Sequence, residues 1–169
     1  MSTVFITGSG SRIGRGLALE FAKKGWDVTV HYNTSKKKAE ETVQEIIALD
    51  RKAVAVQADL ANVSEIDRAW DEAVEKLGVP DVLVNNAGIF PEKRPLKDVD
   101  VDFWDNAMNV NLRSVYYLSR KFSIDAGENA RIVNIGSLGG LEIWKERIPY
   151  NVSKAGVIQL TQALARELA

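Results

Sequence analysis

The stretch TGSGSRIGRG, residues 7–16, decides the fold because of what stands on either side of it. A short apolar run, TVFIT (3–7), precedes it, and a helical stripe follows at Ile13, Leu17 and Phe21. A glycine-rich turn between an N-terminal strand and a helix is typical of the phosphate-binding turn in doubly wound α/β folds. Gly8 permits the tight turn, Gly14 lets the helix approach the sheet, and Arg12 adds charge. The alternative is an ordinary glycine-rich turn.

The rest of the chain alternates between strand-like and helix-like periods. Further runs of strand length occur at residues 27–32, 53–58, 81–86 and 131–137. Helical stripes separate them, and the last helix runs from about residue 150 to the end. Strict alternation favours a parallel sheet with right-handed crossovers and helices on both faces. We therefore predict a single domain over residues 1–169, an α/β, doubly wound parallel sheet (Rossmann-like) that stops after the helix following strand five.

Composition argues against several classes of function. The 169 residues carry a net charge of −1, which argues against nucleic acid and anionic membranes as partners. No apolar run reaches the roughly 18 residues of a membrane span, and the start does not read as a signal peptide. With no cysteine and one histidine, thiolate and histidine-rich metal sites are excluded, and we expect no metal. These features predict a soluble cytoplasmic protein.

The choice of nucleotide depends on the end of the second strand. The dinucleotide fingerprint expects an acidic residue about 20 positions after the glycines, and Asp27 fits by count. Asp27 begins its strand, however, whereas ligands lie beyond the carboxyl ends of the strands. That far end has no carboxylate and offers Asn33, Thr34 and Ser35, with lysines nearby. A 2′-phosphate is tolerated there, so NADP(H) is favoured and NAD(H) stays possible; alternatively Thr34 or Ser35 caps the next helix.

Three of the four tyrosines have a lysine four positions later, as Tyr32–Lys36, Tyr117–Lys121 and Tyr150–Lys154. Position within the fold separates them, because ligands gather at the carboxyl edge of a parallel sheet. Tyr117 lies about 15 residues into its helix, roughly 20 Å below that edge, which favours packing beside a solvated lysine. Tyr32 ends strand two, under the adenosine half of a dinucleotide. Tyr150 lies in the first turn of the last helix, near the centre of the edge.

Ser137 ends strand five at the same edge, and Tyr150 and Lys154 share one helical face. This grouping suits proton transfer, because a nearby ammonium favours the phenolate and the serine hydroxyl can hold a substrate oxygen. Hydride would then pass between the substrate carbon and a nicotinamide. Unrelated surface residues at a helix start are the alternative, and the residues alone do not decide between the two.

Six short motifs occur in an order and at spacings that resemble the short-chain dehydrogenases/reductases. They are TGSGSRIG (7–14), ADL (58–60), NNAG (85–88), NVNL (109–112), NIGS (134–137) and YNVSK (150–154). The resemblance covers the whole chain, and the HYNTS segment and Arg12 are similar to NADPH-using members such as the 3-oxoacyl-carrier reductases. It implies an oxidoreductase acting on a small carbonyl or alcohol, with Tyr150 as general acid/base.

The resemblance also assigns individual residues. It implies a catalytic tetrad of Asn111, Ser137, Tyr150 and Lys154. Asn111 would hold a water that links Lys154 to solvent, and Asp59 would bond the adenine. The NNAG motif would line the cofactor path and brace the sheet through Asn85, Ala87 and Gly88. The cofactor contacts expected from the motifs are Gly8, Ser11, Arg12, Ile13, Gly14, Asn33, Thr34, Ser35, Asp59, Leu60, Asn86, Ala87, Gly88, Tyr150 and Lys154.

Two departures from the family pattern bear on function. The middle glycine of the phosphate turn is Arg12 here. The family runs to about 250 residues, so a sixth strand with its Pro-Gly turn, the helices that cap the substrate and a seventh strand are not found in this sequence. The alternative function is therefore a non-catalytic dinucleotide-binding fragment without the substrate lid. Residues 89–101 and 138–149 would still wall a substrate pocket.

The resemblance further implies a homodimer or homotetramer. In the family, the long helices predicted here near 102–122 and 150–169 pack across a dimer axis. Their candidate apolar contacts are Trp104, Val115, Tyr116, Val157, Ile158 and Leu164.

Overall fold

Five parallel strands form one sheet in the computed structural model, which describes residues 2–169. The strands are β1 Thr3–Ile6, β2 Asp27–Tyr32, β3 Ala53–Gln57, β4 Val82–Asn85 and β5 Arg131–Asn134. Their order across the sheet is β3-β2-β1-β4-β5, and each pairs in parallel with its neighbours. The direction of winding reverses between β1 and β4, which is where such a sheet opens a crevice for ligands. The predicted doubly wound fold is confirmed.

Six α-helices cover the two faces of the sheet. They are α1 Arg12–Lys23, α2 Lys36–Ile47, α3 Val63–Leu77, α4 Val101–Met108, α5 Ser114–Asp125 and α6 Ile148–Glu167. The helix predicted as one piece over 102–122 is divided, because a π-helical turn at Asn109–Arg113 separates α4 from α5. Such turns carry an extra residue and often mark functional sites. Here the turn contains Asn111, whose side chain is fully buried.

Two apolar layers, one on each face, hold the helices to the sheet. Side chains alternate along β1, so Val4 and Ile6 pack under α1 and α2 while Phe5 packs against α3 and α5. On the second face Trp70 stacks on Phe5 and donates from its indole nitrogen to Asp125 at 2.9 Å. Strands buried on both faces explain the nearly continuous apolar runs in the sequence.

The helices expected to carry association differ in what they expose. Val115 and Val157 are buried within the chain, so they do not supply surface to a partner, and that part of the expectation is wrong. Tyr116, by contrast, is 49% exposed. Within residues 2–169, no helix is both long enough and apolar enough to span a membrane.

Helix α1 approaches the sheet most closely at Gly14. A Cβ atom there would lie 2.3 Å from the carbonyl oxygen of Gly8 and 2.6 Å from Nδ2 of Asn86. Gly16, one half-turn later, is exposed, and a Cβ there would meet nothing within 4 Å. Only the first of these two helical glycines is therefore required by packing.

We expect opposite effects from alanine at these two positions. Gly14→Ala forces the helix off the sheet and should lower the free energy of unfolding by about 1–3 kcal/mol. Gly16→Ala should raise it by about 0.5–1 kcal/mol, because alanine loses less backbone entropy in a helix. Urea unfolding of both variants measures the difference, and equal effects would contradict the close approach.

Candidate active site

A cavity of about 650 Å³ opens at the carboxyl edge of the sheet, above β1, β2 and β4. Most residues predicted to contact a cofactor line it: Gly8, Ser11, Arg12, Ile13, Gly14, Asn33, Ser35, Asp59, Leu60, Asn86, Ala87 and Gly88. Of the predicted set, Thr34, Tyr150 and Lys154 lie outside this lining. The structure adds residues that the sequence did not single out for this role: His31, Lys38, Ile89, Asn106 and Val110.

The phosphate turn is tied to the strand-four turn through Thr7. Its hydroxyl oxygen accepts from the backbone N–H groups of Asn86 and Ala87, each at 2.9 Å. In return, the side-chain amide of Asn86 donates to the carbonyl oxygens of Thr7 at 2.8 Å and Gly8 at 3.3 Å. These bonds hold the two turns that flank the crevice at a fixed separation.

The side chain of Asn85 contacts α5 and β5 and does not line the cavity. Its side-chain amide donates to Ser119 Oγ at 3.2 Å and to Asn134 Oδ1 at 2.9 Å, which joins β4 to α5 and β5. The bracing expected of the NNAG motif thus falls to Asn85, while Asn86, Ala87 and Gly88 line the cavity.

Arg12 adopts a backbone conformation that favours glycine. Its φ angle is 53°, in the left-handed region, and it is the first residue of α1. A non-glycine residue there carries strain of about 1 kcal/mol. Ser11, the N-cap, makes no side-chain capping bond, so the free N–H groups of the first turn face the cavity together with the Arg12 side chain. This is an arrangement for binding an anion.

The second strand presents no carboxylate at its far end. Asp27 is buried at the other end, where its Oδ1 accepts from the N–H of Lys52 at 2.8 Å, so it has a structural role. Ser35 occupies the N-cap of α2 without a side-chain capping bond, which leaves its hydroxyl for another partner. Asp59 lies across the cavity and caps its own turn by accepting from Ala61 N–H at 2.9 Å.

His31 lies beneath the phosphate turn and is 2% exposed. The N–H of Gly8 donates to its Nδ1 at 3.0 Å, and its Nε2 is 3.1 Å from the carbonyl oxygen of Ala58. Burial lowers the pKa of His31 to about 4, from an ordinary value of 6.5. The unfolded chain therefore takes up a proton near pH 6.5 that the folded protein does not accept until about pH 4. The stability contributed by the neutral imidazole is complete above that window and is lost as the pH falls through it.

Ser137, Tyr150 and Lys154 meet on the other side of β4. The Tyr150 hydroxyl donates to Ser137 Oγ at 2.9 Å, and the same oxygen accepts from Gly139 N–H at 3.2 Å. Lys154 Nζ donates to the carbonyl oxygen of Ile135 at 3.0 Å. Burial lowers the pKa of the Lys154 ammonium. The structure therefore joins Tyr150 to Ser137 and places the ammonium of Lys154 on Ile135, two residues before Ser137.

Asn111 faces the same group across Gly88. A Cβ atom on Gly88 would lie 3.2 Å from Asn111 Oδ1 and 3.5 Å from Lys154 Nζ. The Asn111 amide itself is bonded to protein: Oδ1 accepts from Ile89 N–H at 2.8 Å, and Nδ2 donates to Ile89 O at 2.9 Å and Ser153 Oγ at 3.1 Å. Its role as a water holder stays a prediction, while its contact with the strand-four turn is direct.

The Tyr117–Lys121 pair is structural, and Lys36 of the Tyr32–Lys36 pair lies on the surface. The Tyr117 hydroxyl donates to Asp67 Oδ1 at 2.9 Å, and this bond raises the pKa of the phenol. Lys121 is not solvated as expected, since Nζ lies 2.8 Å from Asp67 Oδ1 and its side chain is only 19% exposed. Lys36 lies 3.8 Å from Glu40 on the surface of α2.

Aromatic rings surround Tyr150. Trp144 stacks on it with centroids 6.0 Å apart, and Phe90 meets it edge to face at 4.6 Å. Gly139 lies beside both rings, because a Cβ there would be 2.9 Å from Tyr150 Cε1 and 3.0 Å from Trp144 Cζ3. The sequence predicts Trp144 only as part of a pocket wall, and nothing in it indicates that Trp144 and Phe90 contact Tyr150.

A family model described as short chain dehydrogenase matches residues 2–169. The chain belongs to that family. It is 36% identical over 169 residues to the 3-oxoacyl-[acyl-carrier-protein] reductase FabG of Staphylococcus aureus, covering 99% of this chain and 68% of the relative. It is 38% identical to the L-2,3-butanediol dehydrogenase of Corynebacterium glutamicum, covering 97% and 65%.

Solved structures of short-chain dehydrogenases share the fold closely. The crystal structure of a short chain dehydrogenase from Burkholderia cenocepacia J2315 in complex with NADP superposes with a TM-score of 0.94 at 38% identity. It matches 99% of this chain and 68% of its own. The chain therefore spans about two thirds of the length of these relatives. Within residues 2–169, no group of three or more acidic or histidine side chains is placed to hold a metal ion.

Proposed function

We propose that this dehydrogenase chain interconverts a small carbonyl compound and its alcohol with NADP(H), and that Tyr150 is the general acid/base. The observation that carries the proposal is the Tyr150–Ser137 hydrogen bond at the carboxyl edge, beside a cavity suited to a dinucleotide. The relatives named as reductases and dehydrogenases support the reaction class.

The hydrogen bonds of Ser137 leave its hydroxyl proton free for a substrate. Its oxygen accepts from both Tyr150 and Gly139, so its own hydroxyl proton is left to donate elsewhere. A substrate carbonyl oxygen placed between the two hydroxyls would accept from Ser137 and take a proton from Tyr150 during reduction. In alcohol oxidation the same tyrosine would receive that proton.

Lys154 supplies positive charge next to the tyrosine. One of its three ammonium N–H groups donates to the carbonyl oxygen of Ile135, which leaves the other two for a ligand or for the Tyr150 oxygen. Lys154 lies one helical turn after Tyr150, and its side chain is buried on the same side of α6. The rings of Trp144 and Phe90 restrict the tyrosine to this orientation.

The cavity fits a phosphorylated dinucleotide. Gly14 lets α1 pack against Gly8 and Ser9, and this places the N-terminus of the helix at the cavity, where its free N–H groups can bind a pyrophosphate. Arg12 and Lys38 line the cavity near Asn33 and Ser35, where no carboxylate would repel a 2′-phosphate. Related structures at 38% and 35% identity are in complex with NADP and NADPH, and one at 28% identity is in complex with NAD, so NADP(H) is favoured and NAD(H) stays possible. When bound, the cofactor supplies the hydride that reaches the carbonyl carbon.

Arg12→Gly should separate backbone strain from cofactor recognition. The glycine relieves the left-handed strain, so thermal stability should hold or rise, while NADPH affinity should fall about tenfold because a charged contact is lost. NADPH and NADH titrations followed by nicotinamide fluorescence, with melting curves, give both quantities. An unchanged NADPH affinity would remove Arg12 from the binding site.

Tyr150→Phe should abolish turnover by at least about 100-fold while leaving NADPH affinity near wild type, because only the proton donor is lost. Tyr117→Phe is the matched control, since it deletes the hydroxyl of the other helical Tyr–Lys pair and should leave turnover intact. The assay follows NADPH oxidation with aldehydes, ketones and a 3-oxoacyl thioester.

The wild-type chain in the same assay decides between the two candidate functions. NADPH binding without turnover of any substrate would favour the non-catalytic binding fragment. Turnover that survives Tyr150→Phe would remove Tyr150 from the mechanism.

We also propose that copies of the chain associate through α4, α5 and α6. Trp104, Ile158 and Leu164 are partly exposed on these helices, and Tyr116 is largely exposed. Sedimentation velocity should show a dimer or larger species, and Tyr116→Glu should shift it toward monomer. A wild-type chain that stays monomeric at high concentration would contradict this.

A further inference from the structure

We propose that His31 is a positioning residue of the cofactor cavity, a neutral imidazole that holds the phosphate turn and the adenine-side turn at a fixed separation. The inference rests on the proposed function only in taking this cavity to bind NADP(H). His31 begins the HYNTS segment but lies in none of the six motifs that carry the family resemblance, and the chemistry at Tyr150 does not use it. It is nevertheless buried against the floor of the cavity, which it lines.

The partners of the ring assign its tautomer. A backbone N–H can only donate, so Nδ1, which faces Gly8 N–H at 3.0 Å, carries no proton. A carbonyl oxygen can only accept, so Nε2, which faces Ala58 O at 3.1 Å, carries the proton. The ring is therefore neutral and protonated on Nε2, and no other tautomer satisfies both backbone groups.

The two contacts lie on opposite halves of the cavity. Gly8 follows β1 and begins the phosphate turn, whereas Ala58 follows β3 and immediately precedes Asp59. The backbone of His31 adds two more bonds to Ser9: its N–H donates to Ser9 Oγ at 3.1 Å, and its carbonyl accepts from Ser9 N–H at 2.9 Å. One residue of β2 thus links the ends of the strands on either side.

This linkage decides which amides are left for a phosphate. Because the N–H of Gly8 points at the imidazole, it is not directed toward a bound anion, and the first-turn amides of α1 take that role. A proton on Nδ1 would set two donors against each other at Gly8. Asp59, next to Ala58, is the charged group whose field favours protonation, but burial outweighs it. The arrangement therefore requires the neutral ring.

The tautomer can be observed directly, because the sequence contains a single histidine. With ¹⁵N-labelled histidine, the chain should give one imidazole spin system with Nε2 protonated and Nδ1 bare at pH 7. The signals should not titrate between pH 8 and pH 5.5. The opposite tautomer, or a titration midpoint near 6.5, would overturn the assignment whether or not the chain binds NADPH.

Three variants test positioning against simple packing. His31→Leu removes both ring contacts, His31→Asn keeps an acceptor near the position of Nδ1, and Thr29→Val changes a buried polar residue on the same face of β2. We expect the NADPH dissociation constant to rise at least about tenfold for His31→Leu, to recover partly for His31→Asn and to change less than twofold for Thr29→Val. In a turnover assay, KM for NADPH should rise while kcat at saturation stays within about twofold.

The outcomes separate the two proposals. A lower melting temperature of the cofactor-free protein with unchanged NADPH affinity would make His31 a packing residue and overturn the inference. If His31→Leu does not fold, His31→Asn alone decides. A rise of less than tenfold in its NADPH dissociation constant would support the Gly8 contact, and a rise of tenfold or more would overturn it. If the wild type itself fails to bind NADPH, the proposed function fails, while the tautomer measurement still tests the linkage.

Discussion

The close approach of α1 to the end of β1 is the constraint on which the rest of the site depends. With no side chain at Gly14, the helix N-terminus lies directly over the carbonyl of Gly8, and Asn86 reaches the same carbonyl from β4. The ends of β1 and β4 and the first turn of α1 therefore meet at the carbonyl of Gly8. A larger residue at position 14 would collide with that carbonyl. The free N–H groups of the first helical turn gain a fixed direction from this contact, which suits the binding of an anion at the helix N-terminus.

The alternation of apolar periods and the rule that ligands meet the carboxyl edge were enough to predict the sheet and the place of its site. They also separate Tyr150 from Tyr117 without the family resemblance. The rise of a helix per residue gives the depth of each tyrosine below the edge of the sheet. The structure shows why that count succeeds: Tyr117 reaches Asp67 on α3, and its phenol is held protonated by a carboxylate. The same spacing of residue types thus produces a structural contact at one depth and a candidate proton donor at another.

What the sequence did not reveal depends on contacts between distant segments. Asn111 came only from family resemblance, because nothing in a helical period indicates a π turn that buries an amide against Ile89. Nothing in the sequence indicates the two ring contacts of His31, since its partners Gly8 and Ala58 lie 23 and 27 residues away along the chain. Val115 and Val157 do not reach the surface that the sequence predicts for them, because a helical stripe does not show which of its apolar residues face the chain's own core.

The two halves of the site rest on parts of the fold that differ in how firmly they are held. The cavity draws its residues from the ends of β1, β2, β3 and β4, whose apolar side chains fill both core layers. Ser137, Tyr150 and Lys154 all lie after β5 in the chain. Strand β5 pairs only with β4 in residues 2–169, and its Arg131 and Val133 are exposed. Strands with fewer buried contacts open locally at lower cost. Opening of β5 would move Ser137 away from Tyr150, which α6 holds in place through its buried residues Ser153 and Val157, while Gly14 and His31 would not move. Cofactor binding and the geometry for proton transfer therefore depend on different parts of the fold.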